Sequence, residues 1–134
     1  MKVVFDTNVY VSALVLPGSR ADTALQRIVD GADELLLSRP ILGELLAVLA
    51  RKFSRDAEEL SRVALLLDNL GAIVATSTTV TDLADEPDNR ILEYAIDGGA
   101  DCVVTGDKKM LQLETWRGIQ IMSLTDYLGR QLPQ

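Results

Sequence analysis

Short runs of hydrophobic residues alternate along the chain with longer stretches in which apolar residues recur every three or four positions. The continuous runs predict five buried strands, in KVVF, DELLLS, AIVATS, DCVVTG and GIQIMS. The periodic stretches predict helices in SRADTALQRIVDG, PILGELLAVLARKF, DAEELSRVALLLDNLG, PDNRILEYAIDGG and the closing SLTDYLGRQ. Strands that are apolar throughout and alternate with helices are typical of a mostly parallel sheet covered by helices on both faces. The pattern therefore predicts an α/β fold with a central sheet of about five strands.

Two prolines indicate where helices begin. The tripeptides SRP (38–40) and DEP (85–87) each place proline in a predicted first turn, where its missing N–H costs nothing. The one long polar stretch, TSTTVTDLADE, precedes the second of these helices. Because too little chain follows it to form an independent core, we expect a surface connection rather than a linker, and a single domain over residues 1–134.

The composition limits the chemistry to carboxylates. The chain has no histidine, which removes the commonest general base, the Ser-His and Cys-His nucleophile pairs and the usual zinc and copper ligands. The net charge of −7 disfavours capture of nucleic acid by long-range attraction. A polyanion must therefore bind locally or through bound cations.

Three features bear on location. The apolar runs are far shorter than the roughly 20 residues of a membrane helix, and the N-terminus lacks the basic region and cleavage site of a signal peptide. Cys102, the single cysteine, lies inside the apolar run DCVVTG, so we expect a packed thiol without chemistry. These features predict a cytoplasmic protein that does not span a membrane.

Two aspartates follow predicted strands directly. Asp6 comes after KVVF, and Asp107 lies just beyond the strand in DCVVTGD. In an open parallel sheet, ligands bind beyond the carboxyl ends of the strands, and right-handed crossover topology makes these two strands plausible neighbours. We therefore expect both carboxylates at the same edge of the sheet.

Two more acids depart from the pattern of their helices. The predicted apolar stripe of the helix in PILGELLAVLARKF includes Ile41, Leu45 and Val48. Glu44 lies three residues after Ile41 and four before Val48, so we expect it to share this stripe and to point inward. Asp88 lies three residues before Ile91, at the first-turn end of a buried face, where the helix N-terminus also favours a negative charge. Both positions indicate acids directed toward the interior.

Each of the four acids also has a structural interpretation. Asp88 could cap its helix, and Asp6 could hydrogen-bond loop amides. Asp107 could anchor the next turn, and Glu44 could pair with an arginine. Together these interpretations are weaker, because four inward acids repel one another in a low-dielectric pocket, a cost that oxygen-bound divalent cations remove. The ligand set favours magnesium or manganese over zinc.

Neutral and basic side chains accompany the acids. Asn8 lies two residues after Asp6, and we expect it to orient that carboxylate. Thr105 lies two residues before Asp107 and is expected to do the same, although strand propensity is an adequate explanation for it. Five basic residues are expected to hold a substrate: Arg51, Lys52, Arg55, Lys108 and Lys109. A solvated helix end that favours cations explains the first three equally well.

The acids and their surroundings resemble PIN-domain nucleases, and especially the PIN-family toxins of bacterial toxin–antitoxin systems. FDTNVYVSAL, PILGELLAVL, PDNRILEYAIDGGAD and VVTGDKKML occur in the family's order and at similar spacing, over almost the whole chain. The resemblance implies a three-layer α/β/α domain with a Rossmann-like sheet, whose pocket binds Mg²⁺ or Mn²⁺ and cleaves phosphodiester bonds, usually in RNA. It implies that the catalytic and metal-binding acids are Asp6, Glu44, Asp88 and Asp107.

The resemblance also implies partners. The family often forms homodimers, and its toxins are blocked by an antitoxin protein that reaches the pocket. Asn89 occupies a position where members have asparagine or a further acid.

Two alternatives remain beside a ribonuclease. One is a PIN-like binding or scaffolding module without turnover. The other is a phosphoacceptor receiver domain, which has a similar size and an acidic magnesium pocket. The receiver pattern fits poorly, because the first site is DTN rather than a pair of acids and AIVATS ends without an acceptor aspartate.

Overall fold

The computed structural model describes residues 1–130 as a six-stranded sheet flanked by helices. The strands are β1 (Lys2–Phe5), β2 (Glu34–Leu37), β3 (Gly71–Ile73), β4 (Cys102–Val104), β5 (Thr115–Trp116) and β6 (Ile119–Met122). The helices are α1 (Thr7–Val15), α2 (Arg20–Val29), α3 (Arg39–Lys52), α4 (Ala57–Leu70), α5 (Glu86–Asp97), α6 (Lys108–Leu111) and α7 (Leu124–Leu128). The predicted α/β sandwich is confirmed.

The strand order places β1 and β4 side by side. The order is β3-β2-β1-β4-β6-β5, and all neighbours are parallel except β5 and β6. Phe5 at the end of β1 pairs with Val104 at the end of β4. The chain builds outward from β1 to β3 and then continues on the other side of β1, so the order reverses at the β1–β4 boundary. Ligand sites form at such reversals, beyond the carboxyl ends of the strands.

This order also removes the receiver-type alternative. Receiver domains follow the order 2-1-3-4-5, in which the third strand lies next to the first. Here β3 lies at an edge and β4 takes that central position. The receiver interpretation is therefore wrong for this chain.

The five predicted strands and the five predicted helices are all present. The strand predicted in AIVATS is shorter than expected and is not buried, because β3 ends at Ile73 and lies at the edge of the sheet. Three short elements were not predicted. These are α1, α6 and β5. Helix α1 lies in the apolar run VYVSAL, which is too short for its periodicity to distinguish a helix from a buried strand. The sixth strand, β5, joins β6 through Arg117 and Gly118, whose φ angles of 49° and 83° suit a tight hairpin. Gln131, the last residue of SLTDYLGRQ, lies outside the described residues.

The centre of the sheet is completely buried. Val3, Leu35 and Val103 on three adjacent strands are each 0% exposed, and burial of such a side chain contributes about 1.5–3 kcal/mol. Cys102 is also buried, which raises the pKa of its thiol to about 12 and confirms the packed, unreactive position. The loops at the carboxyl edge are thus attached to a rigid support. Among residues 1–130, no helix combines the length and hydrophobicity of a membrane span.

The polar stretch TSTTVTDLADE is an irregular connection fastened along α5. Glu93 accepts a hydrogen bond from the Val80 backbone N–H at 2.8 Å. The Asn89 side chain accepts from the Leu83 N–H at 3.0 Å and donates to the Leu83 carbonyl at 2.8 Å. Farther along, the Asp97 carboxylate accepts from two amides of the connection. This segment is therefore held in place up to the residue at which α5 begins.

Candidate metal centre

A cleft of about 320 Å³ opens at the carboxyl edge of the sheet, where β1 and β4 end. Four parts of the chain line it: the start of α1, one face of α3, the start of α5 and the loop before α6. The lining residues are Asp6, Thr7, Asn8, Glu44, Val48, Arg51, Lys52, Asp85, Pro87, Asp88, Ile91 and Asp107. All four predicted acids lie on this one cleft.

Asp6 lies at the junction of β1 and α1 and is 7% exposed. Its backbone N–H donates to the Val104 carbonyl at 3.0 Å, which extends the pairing of β1 with β4. Its Oδ2 accepts a hydrogen bond from Thr105 Oγ1 at 2.8 Å. Burial raises the pKa of Asp6, the hydrogen bond from Thr105 opposes that rise, and the nearby charge of Asp107 adds to it. The sheet thus holds a carboxylate in a place where its charge is poorly solvated.

The loops after β1 and β4 are joined by one hydroxyl group. Thr105 is 0% exposed, and its Oγ1 also accepts a hydrogen bond from the Asp107 backbone N–H at 3.0 Å. Thr105 therefore contacts the carboxylate of Asp6 but only the backbone of Asp107. Asp107 Oδ1 caps α6 by accepting from the N–H groups of Lys109 and Met110. Oδ1 of Asp107 thus anchors the turn, as the structural interpretation of this residue predicted. The other carboxylate oxygen does not take part in the cap.

Asp88 is a buried acid with a carboxylate oxygen that lacks a hydrogen-bond partner among the described residues. It is 6% exposed, and no group among the described residues hydrogen-bonds its Oδ2. Burial, followed by the negative charges of Asp107, Asp85 and Asp6, raises the pKa of Asp88 to about 6. A buried oxygen without a partner costs about 1–3 kcal/mol. A cation at this point would remove that cost.

Asp85 belongs to the same cluster although the sequence did not single it out. Carboxylate oxygens of Asp85, Asp88 and Asp107 all lie within 4.8 Å of one another. The sequence around Asp85 indicates only that a helix starts there, and not that this residue is a candidate metal ligand. A signal was present, because residues three apart on a first turn share a face, and the DEPD spacing puts Asp85 next to Asp88.

The predicted inward position of Glu44 is wrong. The buried stripe of α3 is Ile41, Leu45 and Leu49, and Glu44 precedes Leu45 by one residue, which is about 100° around the helix. Glu44 is exposed and shares its face with half-buried Val48, and that face borders the cleft rather than the core. Glu44 lines the same cleft as the aspartates without belonging to their closely spaced cluster.

The two asparagines differ in position. Asn8 is exposed and lines the cleft beside Asp6. Asn89 is 0% exposed and uses its side chain on the backbone of Leu83. Asn89 therefore fastens the polar connection and does not line the cleft.

The predicted basic residues separate into two groups. Arg51 and Lys52 line the cleft from the end of α3. Arg55 instead forms an ion pair with Glu59 at 2.8 Å, and the exposed Lys108 and Lys109 are not among the residues that line the cleft. The structure thus brings two of the five cations next to the acids.

The donor atoms of the cluster fit a hard divalent cation. All are carboxylate oxygens, and one of them, on Asp88, is buried without a partner among the described residues. Oxygen-only sites suit magnesium, manganese or calcium rather than zinc. The residues placed to hold such an ion are Asp88 and Asp107, and Asp6 and Asp85 line the same cleft.

Comparison with known proteins agrees with this architecture. Residues 2–109 match the family model described as PIN domain. An uncharacterised protein of Methanocaldococcus jannaschii is 28% identical over 117 residues, which cover 84% of this chain and 75% of that protein.

Two solved structures share the fold. The crystal structure of VapBC2 from Rickettsia felis bound to a DNA fragment from their promoter gives a TM-score of 0.67 at 18% identity, covering 92% of this chain and 98% of that chain. The structure of VapBC-1 from nontypeable Haemophilus influenzae gives a TM-score of 0.64 at 17% identity, covering 93% of this chain and 99% of that chain. At such identities the likeness shows the fold alone.

Proposed function

The chain belongs to the PIN domain family, and from that premise we propose that it is a divalent-cation-dependent endoribonuclease that hydrolyses RNA phosphodiester bonds. One observation carries the proposal: Asp6, Asp88 and Asp107 come from separate parts of the chain to one cleft, where a buried Asp88 oxygen lacks a partner among the described residues. A fold that merely needed these residues for stability would pair that oxygen. The arrangement supports a site built to receive a cation.

The proposed cofactor is Mg²⁺ or Mn²⁺, held by Asp6, Asp88 and Asp107, with Glu44 at the edge of the cleft. When bound, the ion neutralises charge on a phosphate and makes water a stronger nucleophile at neutral pH, so that a chain without histidine needs no other base. Thr105 keeps Asp6 and the Asp107 backbone in a fixed relation, and Asn8 lies at the mouth of the site. Hydrolysis by water leaves a 5′-phosphate and a 3′-hydroxyl.

Few basic residues of the cleft are available to bind the RNA substrate. Arg51 and Lys52 line the cleft and are placed to contact phosphates, which fixes position without reading sequence. Aromatic residues make up 4% of the chain, too few for an extended stacking platform. We therefore propose that RNA is selected by its shape or by a short accessible segment.

The experiment is cleavage of a panel of structured and single-stranded RNAs by the wild type with Mn²⁺, with Mg²⁺ and with a chelator. Cleavage is expected only with metal and should be lost in Asp88→Asn. Asp68→Asn, which removes an exposed acid of α4 outside this cleft, is the matched control and should cleave normally. Products that end in 2′,3′-cyclic phosphate would contradict hydrolysis by water, and absence of cleavage across the panel would favour a PIN-like binding module.

We further propose that the protein is the toxin of a toxin–antitoxin pair and that an antitoxin protein blocks its cleft. The motif resemblance to PIN-family toxins supports this role, as does the fold shared with two VapBC structures. Induced expression of the wild type should arrest growth, and expression of Asp88→Asn should not. A gene for a small DNA-binding protein immediately upstream would add support. The homodimer and the cytoplasmic location stay predictions.

A further inference from the structure

The carboxylate of Asp85 takes part in no side-chain hydrogen bond or salt bridge among residues 1–130. Asp85 is the N-cap residue of α5, a position where aspartate ordinarily accepts a hydrogen bond from the first turn, yet its side chain makes no capping hydrogen bond. Asp56 shows the ordinary pattern, because it caps α4 by accepting from the Glu59 N–H at 2.9 Å. Asp6, at the start of α1, resembles Asp85: it makes no capping hydrogen bond and lines the cleft. The Asp85 side chain lies instead with Asp88 and Asp107.

No basic side chain among the described residues forms an ion pair with this trio, although Arg51 and Lys52 line the same cleft. None of the salt bridges of residues 1–130 involves Asp85, Asp88 or Asp107. Arg90, the arginine nearest in sequence, is engaged by Glu86 at 3.0 Å and by Glu93 at 2.8 Å. Three carboxylates with oxygens within 4.8 Å repel one another strongly unless a cation lies among them.

A second observation, independent of the spacing, also indicates a ligand. Asp88 is more than nine-tenths buried, lines the cleft, and has an Oδ2 atom without a partner in the described part of the chain. Asp107 uses Oδ1 to cap α6, which leaves its other oxygen uncommitted by that cap. Uncommitted oxygens from both residues are thus available where the Asp85 carboxylate approaches.

The position of Asp85 is fixed although the residue is exposed. The connection that leads to it is tied by the paired hydrogen bonds between Asn89 and Leu83, and by Trp116 Nε1, which donates to Asp82 Oδ2 at 2.8 Å. Because Asp82 and Leu83 are held just before Asp85, and Asp85 itself begins α5, little conformational entropy is lost when a ligand binds there. An acid that only began a helix would not need hydrogen bonds that hold the segment before it.

We propose that Asp85 is a metal ligand, and that with Asp88 and Asp107 it forms a second divalent-cation position on the outer side of the one that Asp6 serves. The proposal rests on the proposed nuclease function. It adds Asp85 as a ligand of the second ion only. Asp88 and Asp107 would contribute to both positions. Paired ions in such sites stabilise the attacking and leaving oxygens of a phosphodiester.

The test counts bound Mn²⁺ on the full chain by calorimetry and by electron paramagnetic resonance, without RNA. The wild type should bind two ions. Asp85→Asn should lose one of them, with a drop in affinity of at least about tenfold, and keep the other, since even indirect metal contacts are worth 10–100-fold. Glu86→Gln is the matched control, because it removes the same charge one residue away on an exposed side chain, and it should change either affinity by less than about threefold.

Three results would overturn the second position. They are a wild type that binds one ion, an Asp85→Asn variant that binds two ions as the wild type does, and equal losses in Asp85→Asn and Glu86→Gln. If the wild type cleaves RNA with Mn²⁺ while Asp85→Asn binds and cleaves normally, only this inference fails. If the wild type binds no Mn²⁺, the proposed nuclease site fails with it. The unfolding temperature of each variant is measured as a control. A value near that of the wild type shows that the variant is folded.

Discussion

The hydroxyl group of Thr105 lies 2.8 Å from the carboxylate of Asp6 and donates a buried hydrogen bond to it. The same oxygen accepts from the Asp107 N–H, so one hydroxyl group links the two carboxylate-bearing loops. Thr105→Val keeps the shape and removes the hydroxyl group. We expect it to weaken Mn²⁺ binding by about tenfold, as loss of an indirect metal contact does, and to lower the free energy of unfolding by about 1–2 kcal/mol.

The control for that prediction is Thr105→Ser, which retains the hydroxyl group and should bind Mn²⁺ within about threefold of the wild type. Calorimetry and thermal unfolding measure both effects. If Thr105→Val bound Mn²⁺ as tightly as Thr105→Ser, the hydroxyl would have only a packing role.

The stability of the metal-free protein should depend on the protonation of Asp88. Because the pKa of Asp88 is raised to about 6, the folded state holds this proton more tightly than the unfolded chain does. The stabilisation is complete below pH 4 and is lost as the pH rises through about 6. The raised pKa of Asp6 acts in the same direction, whereas the lowered pKa of Asp97, due to its hydrogen bonds with Thr78 and Ser77, matters only at lower pH.

Thermal unfolding in the presence of a chelator tests this dependence. The wild type should melt at a higher temperature at pH 5 than at pH 7.5, by about 4 °C for each 1 kcal/mol in a domain of this size. Asp88→Asn should reduce the difference and melt higher than the wild type at pH 7.5. Addition of Mn²⁺ at pH 7.5 should stabilise the wild type and not the variant. A wild type that is more stable at pH 7.5 than at pH 5 without metal would contradict the assignment.

Arg51 and Arg55 offer a matched pair for the RNA contact. Arg51 lines the cleft, whereas Arg55 is paired with Glu59 outside it. Arg51→Gln should raise the Kd for RNA by about 5- to 10-fold at low salt and leave Mn²⁺ binding unchanged, because one phosphate contact is lost. Arg55→Gln should have less than about a twofold effect on RNA binding. Equal effects of the two substitutions in a filter-binding assay would indicate attraction by net charge rather than a contact in the cleft.

Asn89 should be a structural residue rather than a ligand. Its side chain makes two hydrogen bonds with the Leu83 backbone, and Asn89→Ala leaves the Leu83 groups without those partners. We expect a loss of about 1–3 kcal/mol in the free energy of unfolding, measured by urea denaturation. The Mn²⁺ position next to Asp6 should keep its affinity within about threefold. Unchanged stability together with lost metal binding would make Asn89 part of the metal site.

The sequence predicted the edge of the sheet better than the helix faces. Asp6 and Asp107 directly follow strands, and parallel strands bring their carboxyl ends to one edge whatever the side chains do. Glu44 was misplaced because Ile41, Glu44 and Val48 fit a helical stripe by spacing. The buried stripe consists of Ile41, Leu45 and Leu49, and only tertiary packing decides that Leu49 rather than Val48 completes it.

Asp85 and Thr105 show the same limit at the site itself. An aspartate just before a first-turn proline is adequately explained as a helix cap, and only the absence of a capping hydrogen bond reveals another use. Thr105 is adequately explained by strand propensity until its contact with Asp6, 99 positions away in the chain, is seen. Contacts of that separation depend on strand order, which short-range patterns do not determine.

Anomalous X-ray scattering from crystals grown with Mn²⁺ shows directly whether a divalent cation binds at Asp88 and Asp107. We expect an anomalous peak in the cleft, within about 2.5 Å of a carboxylate oxygen from each of the two residues. The same peak should be absent in Asp88→Asn. Well-ordered wild-type crystals at saturating Mn²⁺ that show no anomalous peak in the cleft would mean that Asp88 and Asp107 do not hold a cation.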